Sequence, residues 1–116
     1  MVNTVNAENL TEQLVLLFQA KWNENPARFS AFVLKFCQEA AITRQTLAKE
    51  LNITVPRVAE WAYKRNVFTE KKAVKMAVKL GSMPDAFYGV VDALQLYVGE
   101  SEHGLGPEEK PRPRNL

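Results

Sequence analysis

The segment LAKELNITVPRVAEW, residues 47–61, constrains the fold of this chain more than any other. It reads as a helix that ends at Leu51, a short break, and a second helix that begins after Thr54. Asn52 in the break tolerates the left-handed backbone that a tight helix exit requires. Pro56 falls in the first turn of the second helix, where a missing N–H group costs nothing. The segment therefore predicts two helices joined by a sharp turn.

Helical periodicity also dominates the rest of the 116 residues, and the alternating pattern of β-strands is absent. We predict six helices, at about residues 9–22, 26–40, 44–51, 55–64, 69–81 and 82–98. The residues expected to cap them are Asn9, Asn25, Thr43, Thr54, Thr69 and Ser82. The predicted fold is an all-α compact domain of five or six helices over residues 1–98, with a helix-turn-helix unit at about 43–65. Residues 99–116 are rich in Gly, Pro and charge, so we expect a disordered, flexible C-terminal tail.

The charge of the chain is unevenly placed, although the net charge is only +2. Residues 35–79 carry ten Lys or Arg and four Glu, which gives this middle segment a net charge of +6 between acidic flanks. A basic segment of this kind indicates an anionic partner. A solvated lysine face on a helix is the alternative interpretation, and the charge of the segment taken alone favours it.

Several classes of function are disfavoured by what the sequence lacks. One cysteine, Cys37, and one histidine, His103, cannot assemble a zinc site or a Cys/His catalytic pair. Cys37 lies in an apolar run and is interpreted as a buried small hydrophobic residue. No convergent acid, base and nucleophile are visible, so we expect no enzymatic activity, no cofactor, no metal and no small-molecule ligand. No apolar run approaches a membrane span and no signal peptide is visible, so we expect a cytoplasmic protein without a membrane partner.

Residues 43–61 also fill each position of a helix-turn-helix with a chemically suitable residue. Thr43 to Ala48 gives the lead-in T-x-x-x-L-A, Ile53 can plug the corner of the turn, and Lys75 to Gly81 gives K-x-A-x-x-L-G. Over about residues 29–81 the chain resembles the lambda-repressor-like (Cro and XRE-type) DNA-binding domains. The resemblance implies a transcriptional regulator, most simply a repressor, of phage, plasmid or bacterial type. It also implies double-stranded DNA as the partner and a homodimer that reads two half-sites.

The resemblance also implies which side chains contact DNA. The expected base-contacting residues are Val55, Pro56, Arg57, Ala59 and Glu60. The expected phosphate-contacting residues are Arg44, Gln45, Thr54, Tyr63, Lys64 and Arg65. Val55 and Pro56 stand where relatives often carry Gln, Ser or Arg, so they can offer only apolar contact to a base. Glu60 can accept from a cytosine amino group or pair with Lys64 four residues on, and both interpretations stay open.

The sequence leaves two further alternatives open. The chain can instead be a helical protein-interaction adaptor that has the helix-turn-helix fold and does not read DNA. The apolar faces of the outer helices can be either core or dimer interface. The candidate interface residues are Leu14, Leu17, Phe18 and Trp22 on the first helix, and Phe87, Val91, Leu94 and Tyr97 on the last.

Overall fold

The structure, a computed structural model, describes residues 9–65 and 67–103, with side chains described as far as Val98. Its helices are α1 (Leu10–Glu24), α2 (Phe29–Glu39), α3 (Arg44–Leu51), α4 (Val55–Ala59), α5 (Glu70–Gly81) and α6 (Phe87–His103). Short 3₁₀ turns lie at Pro26–Arg28, Glu60–Ala62 and Pro84–Ala86. There is no β-strand within the described ranges, and the prediction of an all-α fold with six helices is confirmed.

Four of the helices form a scaffold, in which α1 packs on α5 and α2 packs on α6. Aromatic rings fill its centre. The ring of Phe18 meets those of Phe29, Phe32 and Phe36 edge-on, with ring centroids 5.7, 5.4 and 5.4 Å apart. Each contact of this geometry contributes about 0.5–1.5 kcal/mol beyond the burial of apolar area. The periodic aromatic residues of α1 and α2 therefore form the core that the sequence predicted.

Some of the proposed interface residues belong to this core. Leu14, Phe18 and Leu94 are fully buried, so they cannot form a dimer interface. Leu17, Trp22, Phe87, Val91 and Tyr97 are partly buried and pack against the core. The reason is the small size of the domain, whose helices need these apolar faces to cover one another.

The threonine caps are confirmed, whereas the other predicted caps make no cap hydrogen bond. The hydroxyls of Thr43, Thr54 and Thr69 each accept from the backbone N–H three residues ahead, at 3.0, 3.3 and 3.1 Å. Asn9 and Asn25 form no side-chain cap bond. The hydroxyl of Ser82 instead donates to the carbonyls of Val78 and Lys79, at the end of the preceding helix.

The last helix is longer than the sequence predicted. A 3₁₀ turn at Pro84–Ala86 leads into α6, which continues to His103, five residues past the predicted end at Val98. Residues 99–103 are thus helical rather than part of a tail, and the prediction for residues 104–116 lies outside the described residues. Residues 99–103 contain no proline that would end the helix, and the first one after them is Pro107.

Burial accounts for the state of the cysteine. Cys37 on α2 is buried in the scaffold, as the sequence predicted. Burial raises the pKa of its thiol to about 12, because the apolar surroundings disfavour the thiolate. The thiol is therefore protonated and inert at neutral pH.

Among the described residues no helix is both long and apolar enough to cross a membrane.

Candidate nucleic-acid interface

The predicted bend between α3 and α4 is present. Asn52 has φ 58° and ψ 45°, the left-handed conformation, and its neighbour Ile53 donates its N–H to the carbonyl of Ala48 at 3.0 Å. The two helices pack against each other, and Leu47 and Val58 are fully buried. The turn therefore directs α4 away from the line of α3, as a helix-turn-helix requires.

The second helix of the unit is shorter than predicted. The α-helix ends at Ala59 and tightens into a 3₁₀ turn at Glu60–Ala62, whereas the sequence predicted a helix to Lys64. At its end the N–H of Tyr63 donates to the carbonyl of Glu60 at 3.1 Å, and Tyr63 leaves helical geometry with φ −134°. The helix ends earlier than predicted because contacts with another helix, α2, hold this end of the segment.

The attachment to α2 involves Ser30, which sequence reasoning missed. Its hydroxyl lies 3.1 Å from the carbonyl of Trp61 and 2.9 Å from that of Lys64, and its single proton is shared between them. Ser30 is only 2% exposed. A signal was present, because the helical spacing of Ser30, Val33 and Cys37 places the serine on the buried face of α2, where a hydroxyl needs a partner.

Trp61 fixes the same segment from the other side. It is 5% exposed, and its ring meets the ring of Phe68 edge-on with centroids 5.2 Å apart. The indole N–H of Trp22 on α1 donates to the carbonyl of Phe68 at 3.2 Å. The helix-turn-helix is thereby connected to both α1 and α2, which gives the outer side of α4 a fixed orientation.

The five expected base-contacting residues differ in how far their side chains are exposed to solvent. Pro56 and Arg57 are exposed, so their side chains are available to a ligand. Ala59 and Glu60 are partly exposed, and Val55 is partly buried against the core. Of this set, Arg57 combines exposure with hydrogen-bonding capacity, and its guanidinium forms no ion pair with any described carboxylate.

The six expected phosphate-contacting residues are all exposed: Arg44, Gln45, Thr54, Tyr63, Lys64 and Arg65. Tyr63 has 74% of its surface in solvent. Lys64 forms an ion pair with Glu60, with Nζ 3.3 Å from Oε1. The structure thus shows Glu60 paired with Lys64, which is one of the two roles predicted for it. A surface ion pair of this kind contributes only about 0–1 kcal/mol, so Glu60 can exchange it for another partner.

Exposed cations flank the bend on both sides. Arg44 begins α3, Arg57 lies on α4 and Arg65 follows the 3₁₀ turn, and none has a carboxylate partner in the part of the chain that the structure describes. Unpaired guanidinium groups on a fixed scaffold suit phosphate and base-edge acceptors. In the described ranges no cluster of three or more His, Cys, Asp or Glu has the arrangement that would hold a metal ion.

Comparisons with protein-family models, with curated proteins and with solved structures find no match to this chain.

Proposed function

We propose that this chain binds double-stranded DNA through the outer side of α4 and the start of α3, as a transcriptional regulator of phage, plasmid or bacterial type. The observation that carries the proposal is the bend at Asn52, beside which Arg44, Arg57 and Arg65 are exposed and have no carboxylate partner among the described residues. The proposal includes the cytoplasm as the compartment and no catalytic activity.

In this mechanism α4 enters the major groove with Pro56 and Arg57 foremost. Arg57 has the geometry to donate two hydrogen bonds to one guanine, which gives about 1–3 kcal/mol of discrimination against other bases. Pro56 and the partly exposed Ala59 provide apolar contact. Glu60 reads a base only when it exchanges its bond to Lys64.

Phosphate contacts provide most of the affinity. Arg44, Lys64 and Arg65 are the charged members of this set, and Gln45, Thr54 and Tyr63 add neutral donors. Each neutralised phosphate releases bound counterions, so the binding constant falls as salt rises, with a logarithmic slope of about −0.9 per contact. One unit of this size contacts few bases, and we therefore propose that two copies bind together.

The proposed surface for a second copy keeps Leu17 and Tyr97 from the residues first predicted and adds three others. Leu16 on α1 is 61% exposed and lines a groove between α1 and α6, whose other apolar residues are Leu17, Ala20, Tyr97 and Val98. Light scattering of the protein on a long duplex would distinguish one bound copy from two.

The test of DNA binding is fluorescence anisotropy with a random duplex over a range of salt concentrations. We expect Arg44→Ala to weaken binding on every sequence and to reduce the salt slope by about one. Arg57→Ala should instead remove preference among duplexes recovered by selection from a random library. Lys35→Ala is the matched control, because Lys35 is an exposed cation on α2, outside the bend.

A second candidate function is a protein-interaction adaptor with the same fold. The partly buried Val55 and the Glu60–Lys64 pair favour it, since both reduce the number of groups that can read a base. A folded chain that shows no salt-sensitive binding to any duplex would overturn the DNA proposal and leave the adaptor. Equal losses from Arg44→Ala and Lys35→Ala would also contradict the proposed geometry.

A further inference from the structure

A groove lies between the helix-turn-helix and α5, and of the side chains assigned to DNA above Arg57 lines it. Its volume is about 510 Å³. It is lined by Glu50, Leu51, Ile53, Arg57, Trp61, Val67, Phe68, Lys72, Lys75, Met76 and Lys79. The lining comes from α3, the turn, α4 with the 3₁₀ turn that follows it, the segment before α5, and α5 itself. Small-molecule sites in proteins commonly have volumes of about 300–1,000 Å³.

The floor of the groove is apolar. Trp61 and Met76 are almost fully buried beneath it, and Leu51, Ile53 and Phe68 are each partly exposed to it. Ile53 was expected to plug the corner of the turn, and its incomplete burial shows that the turn leaves apolar surface uncovered on this side. Apolar surface of this kind gains about 25 cal/mol for each Å² removed from water, so an apolar ligand is favoured.

The rim of the groove is cationic. Arg57, Lys72 and Lys75 lie along it, and none has a carboxylate partner within the described residues. The remaining charges are Glu50 and Lys79, which pair with each other at 3.6 Å. The net charge of the lining is therefore positive, and the unpaired cations all stand at the edge of an apolar surface.

We propose that this groove binds a small organic anion with an apolar body, such as an aromatic or long-chain carboxylate. The apolar body lies on the partly exposed Leu51, Ile53 and Phe68. The anionic group meets Lys72, Lys75 or Arg57. A fully apolar ligand leaves these cations without partners, and a compact anion such as phosphate leaves the floor exposed. Only a molecule with both parts matches the two features of the site.

The sequence did not predict this site because its residues are distributed over five separate segments. None of them belongs to a local motif, and Lys72 and Lys75 read as an ordinary solvated helix face. The site has one consequence that rests on the proposed function. Arg57 borders the groove and is also the proposed base reader, so an anion that binds Arg57 competes with DNA for the same guanidinium.

The test uses the full chain and 8-anilinonaphthalene-1-sulfonate, an aromatic anion that fluoresces in apolar sites. We expect saturable binding of one molecule, with amide shifts in nuclear magnetic resonance spectra at Ile53, Val67 and Phe68. The neutral analogue N-phenyl-1-naphthylamine should bind more weakly, because it lacks the anionic group. Near-ultraviolet circular dichroism verifies that the protein is folded throughout.

The charge requirement is tested by the double variant Lys72→Gln with Lys75→Gln. It should weaken binding of the sulfonate by about tenfold or more, since a hydrogen bond to a charged group contributes about 1.5–3 kcal/mol. Lys71→Gln is the matched control, because Lys71 is exposed on the same helix and does not line the groove. Unsaturable binding, shifts located elsewhere, equal affinity for the neutral analogue, or an unaffected double variant would each overturn the proposal.

The dependence on DNA is measured separately. Addition of the sulfonate should weaken duplex binding by the native chain. If the sulfonate binds in the groove and no duplex is bound, the site stands and the proposed function fails. If a duplex is bound and the sulfonate is not, the proposed function stands and the proposed groove site fails. If both bind and do not compete, the shared use of Arg57 is wrong.

Discussion

The chain leaves α2 and α3 by the same backbone motif, with different residues at its centre. After α2 the N–H of Ile42 donates to the carbonyl of Cys37 and that of Ala41 to Gln38, at 2.9 and 3.1 Å. After α3 the N–H of Ile53 donates to Ala48 and that of Asn52 to Lys49, at 3.0 and 3.2 Å. Both are Schellman exits, in which one residue takes the left-handed conformation.

The two exits differ in what covers them. Ala40, beside the first exit, is 2% exposed and lies under α6. A Cβ atom at Gly89 of α6 would overlap the backbone carbonyl of Ala40, so only glycine allows this approach. At the second exit the flanking residues, Leu51 and Ile53, are both partly exposed, whereas the left-handed residue itself is exposed at both exits. Packing therefore enforces the left-handed alanine at φ 61°, whereas the residue type itself favours the left-handed asparagine.

The largest effect should come from removing the close approach at the first exit. Gly89→Ala forces α6 away from the backbone of Ala40, which cannot move as the end of a flexible side chain would. We expect a loss of about 3 kcal/mol in the free energy of unfolding, at the upper end for overpacked cores. Urea denaturation followed by circular dichroism measures it.

The thiol of Cys37 reports on the same region. The backbone carbonyl of Cys37 accepts the exit hydrogen bond from Ile42, and its side chain is buried in the native protein. A thiol reagent should therefore react with Cys37 only after local opening. Gly89→Ala should accelerate that reaction, and an Asn52 variant should not. An unchanged denaturation midpoint in Gly89→Ala would show that α6 does not hold the first exit.

A smaller effect is expected at the end of the helix-turn-helix, where Ser30 of α2 holds it. Ser30→Ala leaves the carbonyl of Trp61 buried without its hydroxyl donor, and we expect a loss of about 2 kcal/mol. Ser82→Ala is the matched control, because its hydroxyl also donates to backbone carbonyls but is exposed, and water can replace it. Similar losses in the two variants, measured by urea denaturation, would contradict the role assigned to burial.

The two exits also show how much of the fold could be predicted from the sequence. Local chemistry marked the second one, since Thr54 caps α4 and Asn52 tolerates positive φ, and both were predicted. Nothing local marks the first one, because alanine disfavours the conformation of Ala41, and the close approach that accompanies it involves Gly89, 48 residues on. The helix count followed from periodicity, whereas the end of α4 depended on Ser30, in another helix.

The candidate site, like the fold, could be predicted from the sequence only in part. The exposure of Arg44 and Arg57 followed from their helical positions, so the sequence predicted the polar side of the unit. The partial burial of Val55 and the groove beneath Arg57 depend on how α5 and the core approach the bend, which residue spacing within one segment does not report.

The smallest effects should come from exchanging residue types at the exits themselves. Asn52→Ala puts an alanine in the left-handed position of the second exit, as in the first exit, but without a covering helix. It should lower the free energy of unfolding by about 1 kcal/mol. Ala41→Gly relieves the left-handed strain at the first exit, and should gain up to about 1 kcal/mol after the larger entropy of the unfolded glycine is subtracted. Urea denaturation of both variants measures this difference in sign. If Ala41→Gly is destabilising, the methyl group of Ala41 contributes packing that exceeds its strain, and the first exit is a preferred conformation rather than an enforced one.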